Sequence, residues 1–427
     1  MKILRLTIIA ILLFTTGCIM DRFAQDDLLS LPPRIDKQEI KERFSDLPFD
    51  SEQEIKVALL LPLSGKHKKL GLDLYRAAQL ALFDHGDPRI VVYPYDSKGS
   101  EFTAISVMNE IAAKNIKIVV GPVFSKNVKA IKPIAVEHGI TIFTFSNNTE
   151  IAGDGTFVLG MDVKQQVKRI ISYAIKSDIG YYTALAPASE FGSQAVQEMR
   201  IAALDQAMIM KSEFYVSGQK MNPNVNRILR TLEESPVDDE GNPIFKEVPE
   251  GEEIPLDEMG VPEYQDIREY RKGLLIADGS KNLERIATMI DKQGLAENTK
   301  LLGLSLWDNS PALKKSLFQD AWYTDLPKTN FSLFEDHFEE MFSYTPQKIA
   351  IFSYDMLSVI SALASYQGND EQFTLAKLTS PIGFSGISGV FRFRPDGVVE
   401  RLLEIYEIKD GVVNTREPAP FQFSVSH

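Results

Sequence analysis

The chain is poor in the residues that build disulfide frameworks and metal clusters. It has 1 cysteine and 5 histidines in 427 residues, which excludes disulfide scaffolds, zinc ribbons and Cys-rich centres. It also lacks a positive balance: 46 Lys and Arg stand against 59 Asp and Glu, for a net charge of -13. A nucleic-acid protein needs a basic face to meet phosphates, and nothing here supplies one. Long apolar runs are missing apart from one at the extreme N-terminus, which excludes a polytopic membrane protein. What is present is ordinary for a globular protein. The chain is 44% hydrophobic and 25% charged, enough for two or three domains and too apolar for wholesale disorder.

The first residues read as an address. Lys2 and Arg5 form a positive start, Leu6 to Phe14 an apolar stretch, and Thr15-Thr16-Gly17-Cys18 follows. That is a secretory signal layout over residues 1–17, too short for a comfortable transmembrane helix. The single Cys after small residues resembles the lipobox of bacterial lipoproteins. The resemblance implies lipidation at Cys18 and anchoring through several acyl chains. By resemblance to enterobacterial sorting rules, Ile19 rather than Asp after Cys18 favours the outer membrane of a Gram-negative bacterium, facing the periplasm. Residues 18–54 read as a tether, and its polar stretch from Ile19 to Glu52, with Pro32-Pro33, would as a coil of about 34 residues span roughly 30 Å.

From Ile55 strands and helices alternate. IKVALLLPL is a continuous apolar run, the pattern of a strand buried on both faces. Leu74, Ala77, Ala78 and Ala81 then recur at helical spacing. IVVYPY, IKIVVG and ITIFTF continue as strands with helices between them. The pattern restarts with a helix at Val163–Lys176, then strands YYTALA, IMKSEFYV, GLLIA and KLLGLSL. Helices around Phe331–Phe342 and Ile349–Tyr366 and a strand-rich end follow, with a turn at Pro395-Asp396-Gly397. This predicts an α/β protein made of two parallel-sheet units in series.

One segment breaks the rhythm. Glu233 to Asp266 holds thirteen acids against Lys246 alone, with five prolines. Such a composition cannot bury enough apolar surface to order itself. It reads as a solvated insertion, or as an acidic docking loop for a basic partner.

IKVALLLPLSG, VVGPVFS, FTFSNN, FVLGMDVKQQVKRII, ALAPASEFGSQAV, LLGLSLWDN and GVFRFRPDGVVERLLEIYEI resemble, in order, the type I periplasmic-binding-protein (leucine-binding-protein-like) fold. More narrowly they resemble the penicillin-binding-protein activator lipoproteins of proteobacteria. The resemblance implies two Rossmann-like lobes joined by three hinge crossings, with a ligand-binding cleft between them. One lobe would take 55–160 with a return at about 321–366. The other would take 161–307 with a C-terminal segment at about 375–410 and the insertion at 233–266.

Ligands of open α/β sheets sit beyond the carboxyl ends of the strands. That points to Ser64 and Gly65, Ser125, Ser146 and Asn147 in the first unit, and to Phe191, Asp278, Trp307 and Asp308 in the second. Mapped onto amino-acid-binding relatives, Ser125 and Ser146 would meet a carboxylate, Phe191 would close over the ligand and Asp308 would meet an ammonium. The same residues also serve as helix caps and turn formers, and Phe191 and Trp307 as core. No HExxH, GxSxG or phosphate-loop motif occurs, and His67, among Lys66, Lys68 and Lys69, reads as exposed. No catalysis, cofactor or metal is therefore expected. The resemblance puts first a non-catalytic lipoprotein that activates a peptidoglycan synthase, a class A penicillin-binding protein, by contact. The alternative is a solute receptor serving an ABC permease for amino acids or similar small molecules.

Overall fold

A computed structural model describes residues 54–204, 207–216, 220–233, 271–365 and 375–423. The leader with Cys18, the tether up to residue 53 and nearly all of the acidic insertion lie outside the described residues. No described helix is long and apolar enough to cross a membrane.

The first lobe is a five-stranded parallel sheet in the order β2-β1-β3-β4-β5. Its strands are β1 (Ile55–Leu61), β2 (Ile90–Asp96), β3 (Ile118–Val120), β4 (Thr141–Thr144) and β5 (Thr156–Val158). Val57 to Leu61 are fully buried, because helices cover both sheet faces and leave no wet side. These are α1 (Lys68–His85), α2 (Glu101–Ala113) and α3 (Ser125–Glu137).

The second lobe begins with α4 (Val163–Lys176). Val163, Val167, Ile170, Ile171 and Ala174 form its buried stripe, and Asp162 caps it by accepting from the Lys164 N–H. The lobe continues with β6 (Tyr181–Pro187), α5 (Glu190–Ala203), β7 (Met208–Ile209), β8 (Glu213–Tyr215), α6 (Asn222–Glu233), β9 (Lys272–Ile276), α7 (Ser280–Gln293), β10 (Thr299–Gly303) and β11 (Trp322–Asp325). Residues 209–216 read as one strand in the sequence, but the chain there forms two, both beside β6. The Ser212 Oγ accepts from the Ala184 N–H between them, which interrupts the ladder.

The chain then returns to the first lobe. Helix α8 (Thr329–Phe342) leads to α9 (Ala350–Ala364), an almost wholly buried helix packed along α1. After a short helix α10 (Leu375–Leu378) come β12 (Phe384–Gly386), β13 (Gly389–Phe393) and β14 (Val399–Arg401), a small antiparallel sheet. Phe393 packs edge-on against Phe143 and Phe157, so this sheet belongs with the first lobe. Finally β15 (Glu404–Lys409) and β16 (Val412–Glu417) complete the second sheet, β16-β15-β11-β10-β9-β6-β7.

The chain therefore crosses between lobes three times, near Gly160, near Leu326 and near Leu402. This is the type I periplasmic-binding-protein architecture. Two boundaries differ from those the sequence suggests. The return starts after β11 rather than at 321, because β11 pairs with β10 and β15. Residues 384–401 lie on the first lobe, because their aromatic face finds its partners there.

Candidate functional site

The strand order 2-1-3-4-5 reverses direction between β1 and β3, the switch point at which open sheets leave a crevice. A cavity of about 920 Å³ opens there. The first lobe lines it with His67, the loop after β2 (Gly99 to Phe102), the loop after β3 running into α3 (Val123 to Asn127) and the loop after β4 (Phe145 to Asn147). The second lobe contributes Ser305, Leu306, Asp325 and Leu326. Lys348, Ile349 and Phe352, at the start of α9, close the back.

Of the sequence candidates, Ser125, Ser146 and Asn147 line the cavity and are brought together by β3 and β4. Ser146 is buried, and its Oγ accepts from the Asn148 N–H at 3.1 Å, which leaves the hydroxyl proton to donate. Gly160 lies beneath this loop. A Cβ there would sit 2.3 Å from the Ser146 carbonyl oxygen, so only glycine permits the close approach at the first crossing.

The others are elsewhere. Ser64 does not line the cavity; its Oγ donates to Asp96 at 2.5 Å, and Gly65 stands beside it. His67, two residues on, does line it, half-buried and 4.7 Å from the Phe124 ring. Phe191 packs against the second-lobe core. Asp278 accepts from the Tyr215 hydroxyl and from the Asn282 amide. Trp307 is fully buried. Its indole N–H donates to the Ile276 carbonyl, and its ring meets Phe318 at 5.1 Å. Large flat side chains next to strand ends gain more by joining the core than by facing water.

Asp308 is already satisfied from within. The Lys328 Nζ donates to its Oδ1, the Lys348 Nζ to its Oδ2 at 2.9 Å, and Tyr323 donates to it as well. Lys348 also reaches Asp325 Oδ2 at 2.5 Å, while the Leu326 N–H holds Asp325 Oδ1. Burial pushes the Asp308 carboxyl up, but Lys348 and Lys328 outweigh it and hold the group below the usual carboxylate range. Burial lifts Asp325 to about 6, and the Asp308 charge adds to the lift against the pull of Lys348. Burial depresses Lys348, but the two carboxylates more than offset it and raise it.

Three groups that the sequence reading does not single out complete the site. They are Lys348, Asp325 and Asn127. Asn127 stands in the first turn of α3, is 1% exposed and lines the cavity, and its Nδ2 has no hydrogen-bond partner among the described residues. The same helix begins at Ser125 with no side-chain cap on its N–H groups, and Lys126 stands exposed in its first turn. Backbone N–H groups, an amide, hydroxyls and an ammonium thus line one end of the cavity's first-lobe wall, a set of groups suited to an anion. Val123, Phe145, Leu326 and Phe352 supply the apolar wall. Among the described residues no three His, Cys, Asp or Glu side chains gather to hold a metal ion.

Comparison with known proteins places this geometry. A family model described as periplasmic binding protein matches residues 54–412. An uncharacterized protein of Rickettsia prowazekii is 25% identical over 369 residues, 85% of this chain and 89% of that protein. Among solved structures, a candidate branched-chain amino acid ABC transporter protein of Rhodospirillum rubrum matches with a TM-score of 0.68 at 14% identity, covering 85% of this chain and 99% of that one. A solute-binding protein of an ABC transporter from Rhodopseudomonas palustris, in complex with 3,4-dihydroxybenzoic acid, matches at 0.59 and 14%, covering 87% and 98%. A branched-chain amino acid transporter substrate-binding protein of Streptococcus pneumoniae, in complex with isoleucine, matches at 0.55 and 16%, covering 86% and 100%.

Proposed function

The chain belongs to the periplasmic binding protein family, and from that premise we propose that it is a solute-binding protein whose cleft takes a small organic carboxylate. The observation that carries this reading is Asn127. A buried amide donor without a partner costs about 1–3 kcal/mol, and this one lines the cleft beside an uncapped helix start. A carboxylate would accept from the amide, from the free N–H groups of α3 and from the Ser125 and Ser146 hydroxyls. Its apolar or aromatic body would lie on Phe145 and Phe352. Phe102 and Leu306, exposed at 83% and 46% on opposite lobes, would be covered as the lobes close on the ligand. Binding, not turnover, is the chemistry these groups offer, and delivery to an ABC permease is the matching partner.

The order of the two sequence expectations is thus reversed, a choice supported by structural neighbours that are solute-binding proteins of ABC transporters. A calorimetric screen of the purified protein against benzoate, hydroxybenzoates, branched-chain 2-oxo acids and branched-chain amino acids tests the reading. Saturable heat with at least one carboxylate, lost in Asn127→Leu, supports it. No heat with any of them counts against it.

Activation of a class A synthase by contact is a second reading, favoured by the Thr15-Thr16-Gly17-Cys18 leader and the sequence resemblance. Outer-membrane anchoring at Cys18 goes with it. Palmitate-analogue labelling of the wild type and of Cys18→Ser, followed by membrane fractionation, tests the anchor and its address. Synthase assays with and without the protein test the partner.

A further inference from the structure

Lys348 belongs to the first lobe, just before α9, while Asp308 and Asp325 belong to the second. Its ammonium lies 2.9 Å from one carboxylate and 2.5 Å from the other. The two acids are nearly closed to solvent, with side-chain exposures of 7% and 0%, whereas that of Lys348 is 29%. Lys348 and Asp325 both line the cleft. Two carboxylates that converge at a cleft wall make a receptor for an alkylammonium, and here the occupant is the protein's own Lys348 side chain.

We propose that Lys348 is a specificity-determining residue: its side chain fills a built ammonium site in the cleft wall, so that the cleft favours carboxylates without an ammonium group. The consequence for ligand choice rests on the carboxylate-binding reading; the occupied site itself does not. A ligand bearing both charges would have to displace Lys348 or leave its ammonium unpaired in a half-buried cleft, and either costs affinity. A 2-oxo acid or an aromatic acid has no such demand. Lys328 pairs with Asp308 and donates to the Tyr323 hydroxyl rather than to Asp325, so Asp325 loses its ammonium partner once Lys348 is shortened.

The test is chemical rescue. Lys348→Ala should unfold at a lower temperature than wild type. Ethylammonium should restore the midpoint in a saturable way, while tetramethylammonium and sodium at equal ionic strength should not. Lys348→Ala/Asp325→Asn should lose the rescue, and the wild type should show none. If Lys348→Ala does not fold in plain buffer, the same salts are compared by refolding yield from urea. Equal effects of the three cations would overturn the proposal. In a second arm, leucine and its 2-oxo counterpart are titrated into both proteins. The wild type should prefer the oxo acid, and the preference should move towards leucine by about tenfold or more in the variant. Rescue with an unchanged preference would refute the selectivity. If no acid of the carboxylate screen binds either protein, the carboxylate reading fails and the rescue result alone decides whether Lys348 fills an ammonium site.

Discussion

Replacing Asn127 by leucine should make the ligand-free protein more stable and the cleft less competent. The Asn127 side chain is 1% exposed, and its Nδ2 donor is unpaired. Leaving such a donor buried costs about 1–3 kcal/mol, and leucine of similar size removes the cost while filling the same space. The family match spans residues 54–412. At about 2.1 cal/mol/K per residue the unfolding entropy of that span is roughly 0.8 kcal/mol/K, so the midpoint should rise by about 1–4 °C. With a carboxylate present the sign reverses. A hydrogen bond to a charged acceptor contributes about 1.5–3 kcal/mol, so affinity should fall by roughly 10- to 100-fold. Wild type at about 100 times its dissociation constant should gain about 2.7 kcal/mol, and the variant at the same concentration much less. Differential scanning calorimetry with and without the best carboxylate of the screen reads both effects. A variant that is less stable, yet binds as tightly as wild type, would show that Asn127 is a packing residue and would refute the reasoning.

Three further outcomes follow from the described contacts. Arg401 is buried at the third crossing and donates to Ser388 Oγ and the Leu159 carbonyl, and Ser388 in turn serves buried Asp355. Arg401→Met should cost about 3–5 kcal/mol, because a buried acid loses its compensating charge, and Asp355→Asn added to it should recover part of the loss; equal losses in single and double variants would show no coupling. Asp325 titrates at about 6 in the folded protein against 3.8 as a free side chain. Between these values the folded state keeps a proton that the unfolded chain has released, so this group's contribution to stability grows as pH falls through 6 and is lost as pH rises. The stability difference between wild type and Asp325→Asn should therefore move towards wild type by up to about 1.4 kcal/mol per pH unit below 6, and urea unfolding at pH 7.5 and 5 showing no movement would contradict it. The insertion between Glu233 and Asp266 leaves from α6, whose Leu232 carbonyl accepts from Lys272 Nζ of β9, so its stem is held by the second lobe. Replacing residues 236–266 by a short Gly/Ser linker should leave the midpoint nearly unchanged, and a fall beyond about 5 °C would show that the segment packs.

Much of the fold is legible in the sequence for a simple reason. Strands buried on both faces, such as Val57 to Leu61 and Leu274 to Ile276, leave continuous apolar runs with few alternative readings. Loops after those strands then fall at one end of each sheet, which is why Ser125, Ser146 and Asn147 meet in the cleft. Boundaries at the crossings are less legible. β11 has only four residues, and it is held between β10 and β15, the latter about eighty positions on. Aromatic residues mislead for a related reason. Gly303 would place a Cβ 2.1 Å from the Trp307 ring, so the indole lies down over its own strand, and nothing in local spacing distinguishes that pose from one facing a ligand.

The residues that matter most to the proposed site carry a different signal, a local rule broken without local compensation. Helix starts favour acids and caps, yet α3 begins Ser125-Lys126-Asn127 with no side-chain cap, and Lys348 stands just before α9 with no acid in that helix's first turn. Both cations oppose the helix dipole. For Lys348 the compensation is distant in sequence, in Asp308 and Asp325 of the other lobe. For Lys126 and Asn127 the described residues supply no matching negative partner, and the same spot holds an unpaired buried donor. A dipole opposed once and answered by the protein is structure. A dipole opposed again, a few residues from an open cleft and left unanswered, is a place where the missing negative charge is expected to come from a ligand.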